Sequence, residues 1–507
     1  MIAQELFLGL MLLGLFAGIL SGIPAMLAIA GVPLVTAVLG SLLGVFDLTF
    51  LNFFPARVYG VMSNPLLMAV PLFVLMGVLL EKSRLAEDML AVLARMLGGS
   101  PRGMALSVLA FSAIIAASTG IIGATVVMLV LISLPAMQQA GVPKRTASGI
   151  ICASGTLGQI IPPSILLVLL GDQIGNAYLE AQQKAGNFAP DPVSVGDLFA
   201  GALLPGLMLV GLYAVYILIV LRPTNGARPR VPSDVTAGEI VASFLPPLLL
   251  ILSVLGSILA GIATTTEAAG LGAIGALLLA GYRDTGTLRG ARPLILAAAL
   301  AAAVLVFLSF AGIAAQTLAL IAAALIGLGT LAAGLRLWRA GVMAGAVGET
   351  LKISGMVFGI VIAASLLALV FRGFGGDHMV EAMMAGMPGG TWGALALVMA
   401  IVFVLGFILE AVEIIYIVVP LLGPPLLGTD LSPVWFGVLL AMNLQTSFLT
   451  PPFGFALFYF RSAAPRDITT GDIYLGVLPF VALQLIALGV LIAVPGLATW
   501  LPTLIFR

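Results

Sequence analysis

A chain of 507 residues that is 61% hydrophobic and only 8% charged, with a mean hydropathy of +1.23, cannot hide its apolar surface in a water-soluble fold. Soluble domains carry about 25% charged residues, so this is an integral membrane protein. Its 21 basic and 21 acidic residues cancel, which excludes a basic face for nucleic acid. The lone cysteine, Cys152, excludes an internal disulfide, and the lone histidine, His378, reads as a solvated loop residue. The sequence has no Gly-Lys-Ser/Thr nucleotide motif and no His/Cys/carboxylate cluster, which argues against ATP coupling and metalloenzyme chemistry within the chain.

The N-terminal segment lacks a basic region and a clear cleavage site, so it is expected to be a first spanning helix. Ser83 to Gly98 reads as an amphipathic helix, with Leu85, Met89, Val92, Leu93 and Met96 on one side and Glu87, Asp88 and Arg95 polar. Such a helix lies along the membrane interface or is an ordinary loop helix. Residues 103–137 then form an uncharged run of 35 residues flanked by Arg102 and Lys144-Arg145. One straight helix of that length would measure about 52 Å against a hydrocarbon core of about 30 Å, and two full spans would need about 40 residues plus a turn. A re-entrant hairpin entering from the cytoplasm and turning near Ser118-Thr119-Gly120 fits better. Residues 147–171 cross outward, broken at Pro162-Pro163. The stretch 172–197, with Asp172, Glu180, Asp191 and Asp197 against Lys184, reads as an outside loop, because Lys and Arg mark cytoplasmic loops.

Segments near 198–221, 241–260, 266–282, 294–313, 314–335 and 350–371 alternate across the membrane and leave 372–390 outside. Arg372, Asp377 and Glu381 there read as solvated loop charges. The pair 294–335 adds an even number of crossings and so leaves the sidedness of everything after it unchanged. A second apolar hairpin, about 391–427, therefore enters from outside. Its broken helix, about 433–460, runs inward and ends at Arg461 and Arg466. The two hairpin-and-break units are predicted to have opposite orientations, an inverted-topology repeat of the kind that places a transport site near the bilayer midplane.

The repeated motif carries the candidate chemistry. Ile161-Pro162-Pro163-Ser164 lies 44 positions after Ser118, counted to Pro162, and Thr450-Pro451-Pro452-Phe453-Gly454 lies 41 after Glu410, counted to Pro451. Broken helices expose backbone groups at membrane depth, which is tolerated where they line a cavity or bind an ion. Ser118, Thr119, Gly120, Gly158, Pro162, Glu410, Thr446, Thr450 and Pro451 are candidate ligands for a small hard cation such as Na⁺. Ser118, Pro163, Ser164, Asn443, Pro452 and Gly454 are candidate substrate contacts. The alternative is that Pro-Pro merely kinks a packed helix. Glu410 and Glu413, at i, i+3, are expected to share a helix face. Their candidate roles are cation attraction, proton relay or a structural hydrogen bond. Thr264-Thr265-Thr266-Glu267 has the spacing of a capping box, so Glu267 reads as structural.

At these residues the chain resembles a known family, the large membrane (M) subunit of the tripartite ATP-independent periplasmic (TRAP) transporters, DctM-like. The resemblance runs through Pro71-Leu72-Phe73-Val74-Leu75-Met76-Gly77, Leu134-Pro135-Ala136-Met137, Gly158-Gln159-Ile160-Ile161-Pro162-Pro163-Ser164-Ile165 and Leu204-Pro205-Gly206. It continues through Thr264-Thr265-Thr266-Glu267-Ala268, Phe436-Gly437 and Leu449-Thr450-Pro451-Pro452-Phe453-Gly454. It covers about 1–282 and 346–507. Ala117-Ser118-Thr119-Gly120-Ile121 and Leu409-Glu410-Ala411-Val412-Glu413-Ile414 look most like the mannitol/chloroaromatic branch.

The resemblance implies an all-α, elevator-type, Na⁺-driven importer of small organic acids in the bacterial inner membrane, without a cofactor. Its partners would be a small four-helix Q subunit and a periplasmic substrate-binding protein. Na⁺ sites would lie at the hairpins and facing broken helices. Many members carry Ser-Gly-Ser at the first tip where this chain has Ser118-Thr119-Gly120, and 294–335 has no counterpart in shorter members. The expected organisation is scaffold and amphipathic helix (1–102), first transport repeat (103–171), scaffold (172–293), two-helix insertion (294–335), scaffold (336–390), second transport repeat (391–460) and a C-terminal helix (461–507). The alternatives are a stand-alone Na⁺- or H⁺-coupled organic anion transporter and a non-transport membrane enzyme or structural subunit.

Overall fold

The computed structural model describes residues 2–83, 85–97, 100–120, 122–221, 235–283, 289–311 and 316–506. The side chains of Glu87, Ser118, Thr119 and Arg289, and the whole of Arg84, Ile121, Arg222, Arg228 and Arg230, lie outside the described residues. Among the described residues every regular element is helical, and ten helices are long and apolar enough to cross a membrane.

α1 (Ile2–Leu20) and α2 (Ala25–Leu42) fold back on each other through Gly22, whose φ of +85° suits glycine. A 3₁₀ turn (Leu48–Phe53) leads into the short α3 (Phe54–Ser63). Asn64 then leaves the helix in extended conformation, and its side chain accepts from Leu66 N at 2.9 Å. That cap, with Pro65 in the first turn where its missing N–H is harmless, starts α4 (Pro65–Lys82). The expected amphipathic helix is α5 (Leu85–Met96). Its buried stripe includes Leu90 with Leu85, Met89, Val92 and Leu93, and stops before Met96, which is 46% exposed.

α6 (Pro101–Thr119) and α7 (Ile122–Gln139) form the first hairpin, turning at Gly120. α8 (Lys144–Thr156), a 3₁₀ turn at Leu157–Gln159, and α9 (Ile165–Lys184) form the first broken helix. Because α9 runs to Lys184, Asp172 and Glu180 are helix residues rather than loop charges, and Asp172 is buried. α10 (Val195–Val220) starts at a capping box of Ser194 and Asp197. α11 (Ala237–Leu259) precedes α12 (Thr265–Arg283). The predicted box is present at the latter: Thr264 N donates to Glu267 at 2.8 Å and Glu267 N to the Thr264 hydroxyl at 3.3 Å.

α13 (Arg292–Phe310) and α14 (Gln316–Arg339) pack on each other so closely that a Cβ on Gly329 would lie 2.2 Å from the Ala298 Cβ. The 32-residue α15 (Val342–Gly373) carries Arg372 in its last turn, and α16 (Gly376–Ala385) occupies the expected outside loop. α17 (Gly390–Leu405) and α18 (Ala411–Leu427) are the second hairpin; α19 (Pro433–Leu449) and α20 (Phe455–Ala463) are the second broken helix. The expected single C-terminal helix is two, α21 (Thr470–Ala493) and α22 (Gly496–Phe506), parted at Pro495, which cannot continue a helix.

The eight helices α6–α9 and α17–α20 pack as a twofold-related unit. α6 lies on α8 as α17 lies on α19, α7 on α20 as α18 on α9, and α8 on α20 as α19 on α9. The start of α8 meets the chain just beyond α20, where Lys144 pairs with Asp467 at 2.7 Å. The two broken helices are therefore antiparallel, as an inverted repeat requires. Lys144 also holds the exposed Asp467 carboxyl below its ordinary pKa.

On one flank α10, α21 and α22 join this unit, while α1–α4 and α11–α15 form a second group that meets it through α4 and α15. Ion pairs Lys82–Glu349 (3.1 Å) and Arg95–Glu239 (3.3 Å), with Arg283–Asp88, mark the basic end of the second group, the end that the charge pattern predicts to be inside. Lys184–Glu381 (2.8 Å) and Arg372–Glu180 (2.7 Å) mark the opposite end.

Candidate functional site

The two breaks and the two hairpin tips converge. A cavity of about 80 Å³ is lined by Gly120 of the first tip, Gln159 and Ile165 of the first break, Glu410 and Ala411 of the second tip, Phe448 and Phe455 across the second break, and Ile353, Met356 and Val357 of α15. That volume holds several waters or a partly desolvated ion.

Each lining group has a local cause. Gly120 sits at φ +61°, and a Cβ there would lie 3.1 Å from Ile165 N, so the tip rests on the first amide of α9. That amide end has no side-chain cap: Ser164, the N-cap residue, donates its hydroxyl back to Gln159 O at 3.0 Å. The unspent first-turn N–H groups of α9 therefore face the tip, a site that favours negative charge or a carbonyl. Replacing Gly120 by alanine adds a left-handed penalty of about 1–2 kcal/mol and crowds Ile165. Uptake should fall about tenfold while insertion into the membrane is unchanged, checked by transport and by membrane-fraction yield of G120A.

The second break is built from the same parts. Gly454 begins α20, and a Cβ there would lie 2.5 Å from Phe448 O. Phe448 and Phe455 meet edge to face at 5.5 Å. Pro452 O accepts the Tyr474 hydroxyl at 2.9 Å, which ties the break to α21. Both Pro162-Pro163 and Pro451-Pro452 peptide bonds are cis.

Glu410 and Glu413 do not share a helix face. The chain leaves α17 at Gly406 and re-enters helix only at Ala411, so Glu410 is the extended N-cap residue of α18. Glu413 is buried in the first turn and accepts Glu410 N at 3.1 Å. Glu410 lines the cavity; Glu413 shapes the tip that presents it.

The other expected residues divide. Gly120, Gly158, Pro162, Pro163 and Ser164 cluster at the first break, and Thr450, Pro451, Pro452 and Gly454 at the second. Thr446 and Thr450 spend their hydroxyls on Met442 O and Thr446 O, at 2.8 and 2.7 Å. Asn443 faces α17, where it donates to Met399 O at 2.7 Å, and it does not line the cavity.

Two residues that the sequence reading passed over stand nearer the chemistry. Gln159 is 3% exposed and lines the cavity, and Gln445 is fully buried and donates to the Thr156 hydroxyl at 3.3 Å. Among the described residues the amide oxygens of both have no hydrogen-bond partner. Their signal was present, since a glutamine in an apolar span beside a Pro-Pro break is as costly as the flanking hydroxyls. Arg372, read as a solvated loop charge, instead pairs with Glu180 and, at 3.5 Å, with Asp377. The solvated reading of His378 stands: its side chain is 91% exposed.

A many-span membrane protein, helical throughout its described residues, with two antiparallel broken helices around a buried and mostly apolar cavity that Gln159 and Glu410 line, has the build of a transporter. Its fold resembles that of the Alcanivorax borkumensis YdaH transporter, described as having an unusual topology. The TM-score is 0.50 at 15% identity, over 89% of this chain and 88% of that one. The chain matches the family of the tripartite ATP-independent periplasmic transporter, DctM component, over residues 10–332 and 292–497.

It belongs to that family, as a large multi-pass permease subunit of the inner membrane. It is 27% identical over 444 residues to the C4-dicarboxylate TRAP transporter large permease protein DctM of Vibrio cholerae serotype O1, covering 87% of this chain and 86% of that one. It is also 27% identical over 435 residues to the isethionate TRAP transporter permease protein DctMQ of Oleidesulfovibrio alaskensis, covering 85% of this chain and 57% of that one.

Proposed function

We propose that this chain is the permease subunit of a Na⁺-coupled, binding-protein-dependent importer of small organic acids, and that it works by an elevator motion. The observation that carries the reading is the convergence of both hairpin tips and both breaks on one cavity that faces α15. The relatives named for a C4-dicarboxylate and for isethionate both handle small organic anions, which supports an acid as substrate. The joint name DctMQ supports a Q subunit as partner of this chain. In this reading a periplasmic binding protein delivers the acid.

The cation reading rests on oxygen chemistry. The amide oxygens of Gln159 and Gln445, which have no hydrogen-bond partner among the described residues, and the Glu410 carboxylate are hard donors near the breaks. A small hard cation matches such donors. Glu410, Gln159 and the carbonyls beside Pro162 and Pro451 would hold it; the Gly120 tip and the α9 amide end would then meet the anionic substrate. The moving unit would be residues 103–171 and 391–460, carrying α10, α21 and α22, which pack on it closely, against α1–α4 and α11–α15.

The test is uptake into proteoliposomes holding this chain and its Q subunit, with binding protein and candidate acids added. Accumulation should need an inward Na⁺ gradient and the binding protein, and should not need ATP. Undiminished uptake without Na⁺ under a proton gradient would move the coupling to H⁺. Uptake without any binding protein would favour the stand-alone transporter.

A further inference from the structure

A second cavity lies along the same boundary toward the outer face. It encloses about 330 Å³ between α9 and α18 on one side and α3, α4 and α15 on the other. The three helices α9, α18 and α15 also line the inner cavity. Ile165 and Leu169 face the lower space, while Asp172 and Asn176 face the upper one. The two spaces are thus about 10–15 Å apart along α9, divided by the apolar Leu169, Ile415 and Val357.

The charges of the outer cavity are unevenly spent. Asp172 is saturated: Asn64 and Gln173 each donate to it at 2.9 Å, and the Tyr416 hydroxyl approaches at 3.4 Å. Glu180 is held by Arg372 at 2.7 Å and Lys184 at 3.6 Å. Arg57, one turn before Gly60 on α3, lines the same cavity and has neither a hydrogen bond nor an ion pair among the described residues. Its five guanidinium donors are therefore free. Burial first, and the nearby Arg372 charge second, push its pKa below the ordinary value.

Both arginines also line an adjoining, more open space of about 450 Å³, walled by Phe50, Phe53 and Leu369. Two guanidiniums at the common wall of two spaces, one of them near Glu180 and Asp377 but without a direct ion pair or hydrogen bond among the described residues, make a site for an anion with a planar, bidentate head.

We infer that this outer cavity is a carboxylate-binding station, in which Arg57 and Arg372 receive the acid from the outer face before it reaches the helix breaks. The inference rests on the organic-acid reading above and adds to it the point of entry. Glu180 is the internal occupant of Arg372, so an arriving carboxylate competes with it for the same donors.

Gly60 offers the probe, because a Cβ there meets nothing within 4 Å. The native Cys152 is buried and serves as a silent background. Gly60→Cys in intact cells is reacted from outside with an anionic sulfonatoethyl and a cationic trimethylammonioethyl methanethiosulfonate. Adding Arg57→Gln should lower the anionic-to-cationic rate ratio about tenfold, and Arg57→Lys should largely keep it. Succinate should slow the anionic reagent more than sodium chloride of equal ionic strength, and this protection should vanish in Arg57→Gln. A ratio unmoved by Arg57→Gln, or protection no greater than that of sodium chloride, would overturn the station. The outcome is separable from the transport reading: a rate ratio unmoved by Arg57→Gln with acid uptake intact removes only the station, whereas absence of acid uptake with the ratio still falling in Arg57→Gln removes only the acid as cargo.

Discussion

Replacing Gly149 by leucine should leave almost no folded protein. A Cβ at Gly149 would stand 2.0 Å from Gly476 O, and a Cβ at Gly476 would stand 2.1 Å from Arg145 O. The obstacles are backbone atoms of α8 and α21, which cannot swing aside as a side chain can. Close approach through paired glycines is how helices bind tightly in lipid, where no hydrophobic force draws them together. Overpacking costs up to about 3 kcal/mol or more, a large part of the stability of most proteins. Purified Gly149→Leu should be aggregated on size exclusion, and the milder Gly149→Ala should melt well below wild type. Gly489→Ala, on α21 with open space around it, should be neutral or slightly stabilising. A wild-type melting temperature for Gly149→Ala would refute the backbone contact.

Glu413 is the second position where a small change should have a large effect. Its carboxylate accepts the Glu410 amide at 3.1 Å and so sets the turn between Gly406 and Ala411. Glu413→Ala strands a donor at membrane depth, which costs about 1–3 kcal/mol, or roughly 5- to 150-fold. Glu413→Gln keeps an acceptor oxygen and should retain most uptake. Glu410→Gln should behave differently, because its carboxylate faces the cavity. It should raise the Na⁺ concentration for half-maximal uptake while the protein remains folded. Equal uptake by Glu413→Ala and Glu413→Gln would show that the carboxylate does not hold the tip.

What could be seen in the sequence follows from the range of the forces involved. The breaks at Pro162-Pro163 and Pro451-Pro452 are covalent facts, since proline lacks the N–H that a helix needs. The hairpins are legible because 35 uncharged residues between basic flanks fit neither one span nor two. The Thr264–Glu267 cap is also local. Asp172 reads as a loop charge because its partner Asn64 is distant in sequence, and nothing near Asp172 announces the burial. The ion pair of Arg372 is hidden for the same reason: Glu180 lies on another helix. The i, i+3 spacing of Glu410 and Glu413, taken alone, implies one helical face. Gly406 and the loss of helix after it decide otherwise. Gln159 and Gln445 stand outside the pattern of hydroxyls and prolines that marks the breaks, although a buried amide carries an equally hard oxygen.

α15 gives the proposed motion a ruler. This one unbroken helix presents Ile353, Met356 and Val357 to the inner cavity and Val361, Ala364, Ser365 and Arg372 to the outer one. Each residue along it marks about 1.5 Å. A central unit that slid by eight positions, about 12 Å, would exchange Val357 for Ser365 opposite the Glu410 tip. Cysteine pairs between position 411 and successive positions on α15 would then read displacement in residues, with the inner and outer settings falling two helical turns apart on a single scale.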